Sequence, residues 1–159
     1  MKRLLVAYYS GTGKTEQMAQ SIAEGVRIAG HEAEVRSIAE IKTEKDLLGY
    51  DGYIFGCPTY HLDLPEPFKK FLDVAGKVDL VGKVGGAFDC RTHPNSGGGS
   101  AAGLIFDRME SEFKMKMTDL GPFDLKPDWL EGNQSGSLGS LEAIHTCQDY
   151  GRALAEMLD

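Results

Sequence analysis

Leu4-Leu-Val-Ala-Tyr-Tyr-Ser-Gly-Thr-Gly-Lys-Thr-Glu-Gln-Met18 decides how the rest of the chain is read. Its first half is apolar and β-prone, its middle is a tight run of hydroxyls and glycines, and its end begins a helical pattern. A strand–loop–helix junction of this kind aims backbone N–H groups and hydroxyls at one small volume, with the positive end of a helix dipole behind them. That volume suits a phosphate. The Gly-Lys-Thr ending resembles an ATP-binding P-loop, but that pattern needs a glycine five positions before Gly13, and Tyr8 stands there. The dinucleotide fingerprint also fails, because no third glycine follows Gly11 and Gly13 at the required spacing. The loop is too short for a triphosphate and has the size to ring one terminal phosphate. The hydroxyls of Ser10, Thr12 and Thr15 and the amides of Gly11, Gly13 and Lys14 are the candidate donors.

Working outward, the chain has 159 residues, enough for one domain with a sizeable core, and a formal net charge of −7. The acidic balance argues against nucleic acid and favours partners with basic surfaces. Three cysteines with no evident pairing point to a reducing, cytoplasmic setting. No membrane span or signal peptide is expected. The four histidines are scattered and form no metal-ligand pattern.

Strand and helix patterns alternate, as in a parallel sheet with crossover helices. Strands are expected at Arg3–Tyr9, Glu32–Ser37, Gly52–Gly56, Lys83–Asp89 and Phe113–Thr118. Helices are expected at Lys14–Ala29, Pro67–Ala75, Gly98–Glu112 and Ser140–Leu158, with a short one near Thr43–Leu48. The first, third and fourth strands are continuously apolar or small, so both their faces should be covered. The second and fifth alternate charged with apolar residues, which marks sheet edges. These demands give a doubly wound α/β fold: five parallel strands in the order 2-1-3-4-5, with helices on both faces. The switch point of that order lies between the first and third strands, where ligands bind beyond the strand ends. Asp119 to Gly139 reads as a long irregular segment around Trp129.

The stretch Tyr8-Tyr-Ser-Gly-Thr-Gly-Lys-Thr-Glu-Gln-Met-Ala-Gln-Ser-Ile-Ala-Glu-Gly-Val26 resembles the FMN phosphate loop and first helix of flavodoxins. The resemblance extends over nearly the whole chain and implies one noncovalently bound FMN. Lys14 departs from the neutral amide usual in that family; its ammonium either is solvated on the first helical turn or lies near the phosphate. After the third strand, the Pro58-Thr-Tyr-His61 segment resembles those that line the isoalloxazine edge in flavodoxin-fold oxidoreductases. The rings of Tyr60 and His61 either stack on the flavin or pack as loop residues. After the fourth strand, Asp89-Cys-Arg-Thr-His-Pro-Asn-Ser-Gly97 and two further glycines supply N–H groups for the pyrimidine edge. Arg91 either neutralises a flavin anion or is solvated, and His93 either contacts the ring or is an exposed loop residue. Asp89, Cys90, Asn95 and Gly97 belong to the same candidate set.

Two functions follow from the resemblance. One is a flavodoxin-like carrier passing electrons between redox partner proteins on FMN, which needs no catalytic acid or base. The other is an FMN-dependent NAD(P)H:quinone oxidoreductase of the tryptophan-repressor-binding-protein type. Pro94 to Ser96, inserted between His93 and the glycines, departs from the pattern of the second group. A nonredox binding module on the same architecture would want acidic residues after the first strand, where hydroxyls stand instead.

Overall fold

The computed structural model describes residues 1–10, 13–59, 63–90, 100–125 and 141–158. Its centre is a parallel sheet built from β1 (Arg3–Tyr8), β2 (Glu32–Ser37), β3 (Gly52–Pro58), β4 (Val84–Cys90) and β5 (Lys116–Met117), in the order β2-β1-β3-β4-β5. Every residue of β3 and β4 is buried, whereas Glu32 and Glu34 of the edge strand β2 are exposed. The polarity patterns therefore placed the strands in their observed depths.

Helices α1 (Lys14–Ile28) and α4 (Leu141–Glu156) cover one face, and α2 (Glu66–Ala75) and α3 (Ala101–Ser111) the other. On the first face Met18, Ile22 and Val26 pack with Cys147, Leu154 and Leu158 over Leu4, Val6 and Ile54. On the second, Phe68, Phe71, Leu72 and Ile105 close over Leu5, Ala7, Phe55 and Ala87. The α1–α4 crossing is very close. A Cβ built on Gly25 would lie 1.9 Å from the Gln148 carbonyl oxygen, and one on Gly151 would lie 1.9 Å from that of Ile22. Glycine at both positions lets the two backbones touch.

Three segments differ from the sequence expectation. The crossover from β2 to β3 carries two single 3-10 turns, Ile38–Glu40 and Glu44–Leu47, in place of a short helix. The Asp46 carboxylate accepts from the Lys42 and Thr43 N–H groups at 2.8 and 3.2 Å and caps the start of the second turn, which ends where Leu48 turns extended. The fifth strand is shorter than the alternation suggested. Phe113 and Met115 donate their N–H groups back to the Arg108 and Met109 carbonyls, at 3.1 Å each, and Lys114 has a positive φ of 57°. These residues form the exit turn of α3, and only Lys116 and Met117 reach the sheet.

The third difference is an addition. Within the segment expected to be irregular, Phe123–Leu125 forms a further short strand, β6, parallel to β4 in the register Phe88↔Phe123, Asp89↔Asp124 and Cys90↔Leu125. The outer edge of β4 is thus paired with β5 at its start and with β6 at its end. Between them, the buried Tyr150 hydroxyl of α4 accepts from the Ala87 N–H at 3.1 Å and lies 3.1 and 3.2 Å from the Ala87 and Gly121 carbonyl oxygens. Among the described residues, no helix is long and apolar enough to cross a membrane.

Candidate functional site

The site lies beyond the C-terminal ends of β1, β3 and β4, at the switch point of the strand order. At β1, the Tyr9 N–H donates to the Gly56 carbonyl at 3.0 Å, so the chain leaves the sheet directly into the loop. The Gly13 N–H donates to Ser10 Oγ at 2.9 Å and closes the loop on itself. Gly13 has φ +90°, a conformation that L side chains rarely adopt, and it occupies the N-cap of α1. Glycine has no side chain with which to cap the helix. The first-turn N–H donors, with the helix dipole behind them, are thus not taken up by the N-cap residue. Thr15 is only 1% exposed on the first turn. Ser10, Gly13 and Thr15 therefore surround a donor-rich helix start that fits a phosphate. Gly11 and Thr12 lie outside the described residues.

Lys14 is half-buried, and its positive charge acts on the Cys90 thiol at the end of β4. The charge thus bears on the space between the first loop and β4. Glu16, in the first turn of α1, hydrogen-bonds the Tyr8 hydroxyl; burial first and this contact second push Tyr8 up to about 12.

The ends of β3 and β4 are joined through side chains. Thr59 is 5% exposed and Asp89 fully buried. The Thr59 hydroxyl donates to Asp89 Oδ2 at 2.9 Å and accepts the Ala101 N–H at 3.0 Å. Asp89 Oδ2 also accepts the Ala102 N–H at 3.0 Å, and the Thr59 N–H reaches the Cys90 carbonyl at 3.3 Å. The start of α3 is additionally capped by Ser100, whose hydroxyl accepts the Gly103 N–H at 3.0 Å. Burial, reinforced by a side-chain hydrogen bond with Asp124, pushes the Asp89 carboxyl up to about 8. The bonds from Ala102 and Thr59 pull in the other direction but do not offset the burial. Burial raises Cys57 well above the usual thiol range, with the Asp89 charge adding to it, and raises Cys90 to about 11 against the pull of Lys14.

Of the sequence candidates, Ser10, Gly13, Lys14 and Thr15 gather at the first loop, and Pro58, Thr59, Asp89 and Cys90 lie side by side at the ends of β3 and β4. The side chains of Thr59 and Asp89 are engaged in tying chain segments together. Tyr60, His61, Arg91, His93, Asn95 and Gly97 lie outside the described residues. Sequence reasoning passed over Asp124, whose carboxyl meets Asp89; a charged residue between Phe123 and Leu125 was the only hint. A cavity of about 560 Å³ borders Ser10 and Gly13 on the β2 side, against Ile38, Ile41 and Phe71. Thr59, Asp89 and Cys90 are not part of its lining, so it flanks the β1 loop away from the β3 and β4 ends. Among the described residues no group of acidic, His and Cys side chains has the arrangement of a metal site.

The family model for flavodoxin matches residues 6–131. This chain belongs to the flavodoxin family. A flavodoxin from Clostridium saccharobutylicum is 36% identical over 104 residues, covering 65% of this chain and 63% of that protein. An NAD(P)H dehydrogenase (quinone) from Gluconacetobacter diazotrophicus is 36% identical over 111 residues, covering 55% of this chain and 56% of that protein. The matches thus span only 56–63% of the length of these curated relatives. Crystalline oxidised Flavodoxin 1 from Bacillus cereus superposes with a TM-score of 0.80 at 25% identity, covering 99% of both chains. A flavodoxin from the Archaea gives 0.79 at 24% identity over 98% of each chain, a likeness of fold. At the C-terminal ends of its strands this chain carries a first helix with glycine at its N-cap and a side-chain link between the ends of β3 and β4.

Proposed function

We propose that this chain is an electron carrier that holds one FMN noncovalently and exchanges electrons with redox partner proteins. The observation that carries this reading is the N-terminus of α1, with glycine at its N-cap and the buried Thr15 on its first turn, at the same strand ends as the linked β3 and β4. Ser10, the N–H groups at Gly13 and beyond, and Thr15 hold the phosphate, with Lys14 adding one positive charge. Thr59 and Asp89 set the positions from which the segments after β3 and β4 leave the sheet; the ring system is held between those segments. FMN supplies one- or two-electron chemistry when bound. The chain contributes binding, orientation and local charge. The net charge of −7 suits transient docking on basic partner surfaces.

The test is direct. Apoprotein titrated with FMN is expected to quench the flavin fluorescence at a stoichiometry of one, and the loaded protein to exchange electrons with a basic redox protein at a rate that falls with salt. No quenching at any concentration overturns the reading.

A second reading is FMN-dependent NAD(P)H:quinone oxidoreduction. It is favoured by the relatives named NAD(P)H dehydrogenase (quinone), which are 36% and 38% identical over 111 and 112 residues. Anaerobic mixing of the loaded protein with NADH or NADPH separates the two. Rapid bleaching followed by quinone turnover supports the enzyme, and indifference to nicotinamides supports the carrier.

A further inference from the structure

Asp89 and Asp124 stand opposite each other in the β4–β6 register, so their side chains lie on the same face of the sheet, and the neighbouring Asp124 carboxyl favours the protonated form of Asp89. Two carboxylates have only acceptor oxygens and cannot hydrogen-bond each other; a protonated carboxyl has one O–H to donate. Asp89 is fully buried, and its two oxygens are unequal. Oδ2 accepts from the Thr59 hydroxyl and the Ala102 N–H, while Oδ1 is buried with no donor among the described residues. A proton between the two carboxyls supplies the missing donor. Without it, two negative charges would face each other in a poorly solvated space.

Among the described residues, the groups around the pair do not neutralise that charge. Cys57 of β3 lies in register with Asp89, Cys90 follows Asp89 on β4, and Cys147 of α4 packs in the same core cluster as Cys90; burial raises all three thiols above their ordinary range. The α3 side presents the N–H groups of Ala101 and Ala102. Lys14 of α1 is the cation among the described residues whose charge reaches this cluster, and it does so at Cys90.

We propose that Asp89 and Asp124 share a single proton, and that this proton keeps β6, the end of β3 and the start of α3 locked together around the crevice. The lock is assembled from short pieces. β6 pairs with β4 through three residues, one of them Asp124. Asp89 reaches the α3 N-terminus directly at Ala102 and through Thr59 at Ala101. Loss of the proton to solvent forces the carboxyls apart, which loosens β6 and withdraws Asp89 from Thr59 and Ala102. The segments that leave β3 and enter α3 are those assigned to the flavin ring. The consequence for FMN rests on the function proposed above, whereas the shared proton and the lock do not.

The sign of the pH effect follows from linkage. Burial, with the neighbouring Asp124 carboxyl, raises the Asp89 carboxyl from its ordinary 3.8 to about 8. The native state binds the extra proton between those values, so stability is full below the unfolded value and falls as pH rises towards 8.

The experiment uses apoprotein, wild type and Asp124→Asn, whose amide donates to Asp89 without titrating. Urea unfolding from pH 5 to 9 is expected to show a wild-type stability that declines with a slope of about one proton up to the pair's ionisation. The variant should lack that slope. Protection of the Ala101 and Ala102 amides against exchange should fall in wild type above that ionisation and stay level in Asp124→Asn. Equal slopes in the two proteins, or protection independent of pH in wild type, overturn the proposal. Carboxyl carbon NMR of the wild type gives a reading that needs no variant: two aspartates responding together to one proton near pH 8 support it, and ordinary ionisation of both overturns it. FMN titrations across the same range should show wild-type affinity falling about tenfold per pH unit above the ionisation. An absence of FMN binding at every pH would remove the flavin function, while the apoprotein results would still decide the carboxyl pair.

Discussion

The Tyr150 hydroxyl accepts the Ala87 N–H at 3.1 Å, at the point where β4 passes from its pairing with β5 to its pairing with β6. A helix side chain thus stands in for a missing strand neighbour. The Tyr150 ring also stacks on Phe123 of β6, with centroids 5.0 Å apart. Tyr150→Phe keeps the stacking and deletes the hydroxyl. It should cost about 1–3 kcal/mol of stability, the usual penalty for stranding a buried amide. Urea midpoints equal to wild type would mean that water replaces the hydroxyl.

The α1–α4 crossing depends on two glycines. In Gly151→Ala the new methyl meets the Ile22 carbonyl oxygen, and backbone cannot swing aside as a side chain can. Unfolding measurements should show a loss of about 1–3 kcal/mol or more. A change within about 0.5 kcal/mol, typical of a surface site, would contradict so close an approach.

Thr15 offers a buried hydroxyl at the start of α1. Under the FMN reading, Thr15→Val removes one charge-assisted hydrogen bond to phosphate. FMN affinity should weaken by about 1.5–3 kcal/mol, roughly ten- to a hundredfold. Riboflavin lacks the phosphate, so its weaker binding should be nearly unaffected. Equal losses for the two ligands would place Thr15 away from the phosphate.

All three thiols are buried, and burial raises Cys90 to about 11 and Cys147 to about 12. Thiolate is the reactive form. Iodoacetamide at pH 8 should therefore leave the native protein unlabelled and modify all three cysteines in urea. Prompt native labelling of Cys90 would show that Lys14 outweighs burial at that position.

Strand depth was readable because burial leaves a periodic trace. Leu4 to Tyr8 and Gly52 to Gly56 carry no charge, whereas the charges of Glu32, Glu34 and Arg36 alternate with smaller or apolar residues. The first loop was readable because its donors are contiguous in the chain. Phe123–Leu125 left no such trace, since three residues are too few to establish a period and its pairing with β4 is nonlocal. The start of the fifth strand was misplaced because the alternation from Phe113 to Met117 reports which face is covered, not which backbone partner is used.

The amino-acid sequence alone determined the strand order, the helix faces and the hydroxyl-rich loop before α1, because each is set by burial or donor pattern within one short segment. Tertiary structure alone decided that Asp89 meets Asp124, that Thr59 links β3 to α3, and that Tyr150 completes β4. Those contacts join residues far apart in the chain. Each depends on register between elements, and no local pattern of polarity encodes register across a crossover.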